Sequence, residues 1–72
     1  MNSSQVELAH HLIEAAGRGS KDVYAHAYID AGLSMNNPEE LRVQILYILN
    51  NLSGWRGDEA RTVKAALKKL SK

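Results

Sequence analysis

The segment from Asn37 to Leu52, NPEELRVQILYILNNL, constrains the fold more than any other. The Asn37 side chain suits a helix N-cap, and Pro38 suits the first helical position, whose N–H has no partner anyway. Glu40 follows the cap at the three-residue spacing of a helix start. A helix is therefore predicted over about 38–52. At 100° per residue Leu41, Ile45, Ile48, Leu49 and Leu52 share one side. Val43, Leu46, Tyr47 and Asn50 occupy much of the opposite side, leaving only a narrow polar strip around Gln44 and Asn51. A helix apolar on most sides is a buried one. It is expected either as the central post of a small bundle or as one half of a dimer.

Three further stretches carry helical periodicity, and none alternates with the period of a strand. The first is expected over about 5–16. Ser4 and Glu7 have capping-box spacing, Gln5, Ala9, Leu12, Ile13 and Ala16 share a face widened by Val6 and Leu8, and Gly17 is the expected stop. The second is expected over about 21–31, capped by Ser20 and ended by Gly32, with Val23, Tyr24, Ala27, Tyr28 and Ala31 facing inward. The fourth is expected to run to Leu70 with Ala60, Val63, Ala66, Leu67 and Leu70 inside. Its start has two readings: Ser53 as the cap, giving a helix over about 54–70 that includes Trp55, or Asp58 as the cap of a later helix after a glycine turn. The first places Trp55 near the inner face, although Gly57 inside a helix costs about 1 kcal/mol relative to alanine.

Seventy-two residues make one domain, residues 1–72. Such a chain buries only roughly 60% of its unfolded surface, and with no cysteine it has neither a disulfide nor a thiolate metal site to help it. The beginning, MNSSQVELAHHL, lacks the pattern of a signal peptide, and VQILYIL is too short to span a bilayer. The expectation is a soluble, cytoplasmic protein with no membrane association. The first 35 residues carry four acids and two bases, and the remainder four acids and seven bases. This polarity is weaker than that of a dedicated nucleic-acid binder.

The unusual residues each have two readings. Trp55 is either an interface anchor, since Trp and Arg are enriched among binding hot spots, or a core plug between the third and fourth helices. Burying roughly 200 Å² of indole is worth on the order of 5 kcal/mol before entropy. With the indole inward, Arg56 points outward, free to meet an acid such as Asp30 or Glu59, or a partner's carboxylate or phosphate. Asp22, His26 and Asp30, spaced four apart, offer imidazole and carboxylate donors for a divalent metal, with His10 or His11 as a further ligand. The same spacing also produces ordinary pairs on a solvated helix face, and no cofactor is expected. Arg61, Lys64, Lys68 and Lys72 form a basic stripe, with Lys69 nearby, and Arg56, Arg61, Lys64 and Lys68 could track phosphates. Acids at that helix's start and lysines at its end are equally what its dipole favours. No nucleophile elbow, phosphate-binding glycine loop or paired catalytic carboxylates are present, so the chain reads as a non-enzyme.

The spacing L-x-x-W-R-G-x-x-A-R-x-V-K-x-x-L is carried here by Leu52, Trp55, Arg56, Gly57, Ala60, Arg61, Val63, Lys64 and Leu67. In this respect segment 45–70 resembles the C-terminal part of short helical proteins of bacteriophages and prophage-bearing bacteria. The resemblance spans about a third of the chain. It implies a phage or bacterial origin and an all-helical fold, and it brings no catalytic residues.

Together these readings predict an all-α protein, a compact bundle of four short helices with the third central. The leading expectation of function is a non-enzymatic interaction or regulatory protein that binds a protein partner or itself as a homodimer. Val43, Leu46, Tyr47, Asn50 and Arg56 are the candidate partner-binding residues. A nucleic-acid accessory role through Arg56, Arg61, Lys64 and Lys68 is the alternative, and a metal-dependent activity at Asp22, His26 and Asp30 is the third.

Overall fold

The computed structural model describes residues 1–72 and contains four helices: α1 (Ser3–Gly19), α2 (Val23–Leu33), α3 (Pro38–Asn50) and α4 (Asp58–Leu70). There are no strands, and no helix is long and apolar enough to cross a membrane. Each helix packs on the next, and α4 closes the ring against α1. The expected bundle is thus the observed one, but the third helix does not stand alone at its centre. α1 and α3 meet across the middle, whereas α2 and α4 do not touch. The outer side of α3 is open: Val43, Leu46 and Tyr47 are 45%, 45% and 50% exposed.

The ends of the helices depart from the sequence expectation where a cap has a competitor. α1 is capped by Asn2, not Ser4. The Asn2 side chain accepts from the Gln5 N–H and the Gln5 side chain accepts from the Asn2 N–H, a reciprocal box that starts the helix a half-turn earlier. At its other end α1 runs through Gly17 to Gly19. In α2 the cap is Asp22, not Ser20: its carboxylate accepts from the Tyr24 and Ala25 N–H groups, while buried Ser20 closes α1. α3 is capped by Asn37 as expected, but it ends at Asn50, with Leu52 buried in the following turn. α4 starts at Asp58, so Trp55 lies in the connection and the helix over 54–70 is not formed. Gly57 precedes it with φ 112°, a left-handed conformation that makes glycine the natural residue there.

The core is aliphatic. Ile13, Ile29, Leu41, Ile45, Ile48, Leu52 and Leu67 are fully buried, with Ala9, Ala16 and Ala25 filling between them. α2 buries Ala25, Ile29 and Gly32, not the face of Val23, Tyr24 and Tyr28. Its sequence is apolar almost all round, so periodicity alone left two faces in competition. Close approach decides between them. A Cβ at Gly32 would lie 3.2 Å from the Ile48 Cδ1 and 3.5 Å from the Ile13 Cδ1, so the small-residue face lets α2 settle on both neighbours. Gln44, expected in the polar strip of α3, is also buried; its Nε2 donates to the Tyr28 carbonyl at 2.8 Å and ties α3 to α2.

Candidate interaction surface

The residues with the most chemical promise in the sequence are largely engaged by the fold's own backbone. Trp55 belongs to the junction of the connections. Its ring packs on the core, and a Cβ at Gly19 would come within 2.5 Å of its Cε2, Cζ2 and Nε1 atoms. The indole therefore rests on the bare backbone of the last residue of α1. The turn that carries it is held from α4: the Lys64 Nζ donates to the Leu52 carbonyl at 3.0 Å and to the Trp55 carbonyl at 2.6 Å. An ammonium bound to two carbonyls near the end of α3 also complements the negative pole of that helix.

The proposed basic stripe is broken by this arrangement. Lys64 is turned inward and half-buried, and Arg61 pairs with Asp58 at 3.4 Å in an exposed contact. Arg56 and Lys68 have no hydrogen-bonded or ionic side-chain partner within the chain, so the expected contact of Arg56 with Asp30 or Glu59 is not made. Arg56 lines the clefts on either side of Trp55, one with Lys21 and Asp22, the other with Ala60 and Arg61. It lines neither of the grooves along α3, so the structure does not group it with Val43, Leu46, Tyr47 and Asn50.

The metal set does not assemble. Asp22 accepts from two N–H groups as a cap, and His26 donates from Nε2 to the Ser20 carbonyl at 2.6 Å. Asp30 stays on the solvent side, and no group of three histidine or acidic side chains is placed to hold a metal ion. His10, the other ligand considered, donates from Nε2 to the Met35 carbonyl at 2.7 Å and pins the α2–α3 connection to α1. His11 lies in solvent near Glu14. Both inward histidines thus satisfy a carbonyl that the connecting segments leave open.

The outer surface of α2 and α3 differs. All three tyrosines of the chain lie there. The Tyr28 and Tyr47 rings stack with centroids 5.7 Å apart and planes at 14°, and Tyr24, one helical turn before Tyr28, is 75% exposed. Val43 and Leu46 continue the apolar surface along α3. Two shallow grooves flank it. The first lies beside the start of α3 and is lined by Met35, Glu39, Glu40, Val43 and Gln44. The second runs between α3 and α4 and is lined by Leu46, Leu49, Asn50, Lys64, Ala65 and Lys68. Single exposed apolar residues are normal on any protein; here several stand near one another along α2 and α3. Exposure of Tyr24 and Tyr28 was the signal missed in the sequence, because an inward face was assigned to them.

Comparison with protein-family models, with curated proteins and with solved structures gives no match.

Proposed function

We propose that the chain is a small non-enzymatic interaction or regulatory protein of phage or bacterial origin, working in the cytoplasm through the outer face of α2 and α3. The single observation that carries this reading is the Tyr28–Tyr47 stack, held at the surface and continued by Val43 and Leu46. Aromatic side chains are enriched in the buried centres of protein interfaces, where they offer large area at small entropic cost. The rest of the bundle supports a binding role over a chemical one, because its inward histidines and Lys64 are bound to carbonyls.

The reading is tested by isolating the tagged protein from the cells that make it, next to a Tyr47→Ser variant and a Lys72→Ser control. A stoichiometric partner retained by the control and lost with Tyr47→Ser supports it. Equal recovery with all three places the contact elsewhere. A nucleic-acid role is weaker, since Lys64 is turned inward and Arg61 already has a carboxylate neighbour. Salt-sensitive retention of DNA or RNA, lost on Arg56→Ser, would favour it instead.

A further inference from the structure

We propose that the partner of this face is a second copy of the same chain, docked across a two-fold axis with the two α3 helices crossing, so that the acidic start of one α3 lies in the basic α3–α4 groove of the other. The inference rests on the reading of the α2–α3 face as an interaction surface and assigns its occupant.

The two grooves beside α3 are complementary to each other. One carries Glu39 and Glu40 with Val43 and Met35. The other carries Lys68 and Lys64 with Leu46 and Leu49. They abut on one helix, because Val43 and Leu46 are one turn apart. The first lies on the α2 flank of α3 and the second on the α4 flank, toward opposite ends of the helix, so a two-fold axis lying in the contact, inclined to α3 and crossing it between these two residues, sets each groove against the other's. At 1.5 Å per residue Glu39 and Glu40 lie about 7–8 Å along α3 to one side of the crossing point, and Leu49 and Asn50 as far to the other. Each copy then sets two carboxylates against the Lys68 ammonium of its mate, while Val43, Leu46 and Tyr47 meet their counterparts at the centre. Such a contact is isologous and closes at two copies.

The charges are free to take part. Lys68 and Glu40 have no partner within the chain, and Glu39 holds only an exposed pair with Arg42 at 3.2 Å, of the kind that contributes little. Lys64 remains on its two carbonyls and supplies field rather than a contact. A specific interface of about 800 Å² per partner would cover about a sixth of the 4676 Å² surface of this chain.

Sedimentation equilibrium of the full chain tests the register. The wild type is expected to dimerise in the micromolar range, more weakly as salt rises. Glu40→Lys and Lys68→Glu should each weaken the dimer about tenfold or more by setting like charges together. Combined in one chain, they should restore it to within about threefold of the wild type, because the pairing is remade with its sign reversed. A wild type that stays monomeric into the high micromolar range overturns the proposal. So does a double variant no tighter than the weaker single one. Leu46→Ser separates the two levels: if it abolishes a dimer that charge exchange does not rescue, this register is wrong and the interaction face stands. If it leaves the dimer intact, both are wrong.

Discussion

The corner around Trp55 and the outer face of α2 and α3 are built on opposite logic. At the corner, polar and charged side chains bind the chain's own backbone: Lys64 on the carbonyls of residues 52 and 55, His26 on that of residue 20. The one tryptophan lies against glycine. On the outer face, apolar rings and branched chains stand in solvent around the tyrosine stack. Arg56 apart, residues with functional chemistry in this corner are thus structural, and on the outer face residues with structural chemistry are free. The connections explain the first half. Residues 20–22, 34–37 and 51–57 leave carbonyls without helical partners, and a small bundle satisfies them with the long side chains within reach.

The comparison breaks most readily at Gly19. A side chain there must displace the indole, since the nearest ring atoms are 2.5 Å from a Cβ position. Gly19→Val is expected to destabilise the bundle by about 3 kcal/mol, the upper range for overpacking, and to shift tryptophan emission to longer wavelength. Unchanged emission and an unchanged melting midpoint would mean that the corner is not closed by this contact. Gly54 in the same corner has nothing within 4 Å of its Cβ position, so steric closure is a property of Gly19 and not of glycines in that corner generally.

Lys64 and Lys68 sharpen the contrast, being one turn apart on the same helix. Removing the Lys64 ammonium takes a charged donor from two carbonyls. Lys64→Met is expected to cost about 2 kcal/mol, as for hydrogen bonds to charged groups. Lys68→Met touches nothing that holds the fold and should stay within about 0.5 kcal/mol. Urea unfolding of the two variants side by side checks the difference, and equal losses would remove the structural role assigned to Lys64.

The same division explains what was legible in the sequence. The four helices, their order and most of the inner residues of α1, α3 and α4 follow from periodicity: α1 and α4 each have one clearly more apolar face, and in α3 the unbroken row Leu41, Ile45 and Ile48, continued by Leu52, marks the inner one. α2 was not legible in this way. Its residues are apolar on nearly all sides, and the choice between Ala25–Ile29–Gly32 and Tyr24–Tyr28 depends on how closely α1 and α3 approach. The caps failed locally, since Asn2 and Asp22 stand within two residues of Ser4 and Ser20 and either type can cap. Gln44 looked exposed because its buried partner is a carbonyl of another helix, which no local pattern encodes. The exposed stripe Val43, Leu46 and Tyr47 was readable from α3 alone. Its continuation onto α2 was not.

A small effect on stability is expected where the effect on binding is largest. Tyr47 is half-exposed, and its ring stacks on that of Tyr28. A surface aromatic pair of this kind is worth about 0.5–1.5 kcal/mol, so Tyr47→Ser should cost about 1 kcal/mol and keep the helical circular dichroism spectrum. The rings of Tyr28 and Tyr47 hold each other in place before any partner arrives, which lowers the entropy lost when a partner orders them. Tyr28→Ser leaves the Tyr47 side chain present but unsupported and should therefore weaken association as well, to a lesser degree than Tyr47→Ser. Thermal melts and light scattering on both variants read the two quantities separately. A loss of stability above about 2 kcal/mol for Tyr47→Ser, outside the range for such a pair, would show the ring to be part of the core. The tyrosine face and the tryptophan corner would then differ in position but not in kind.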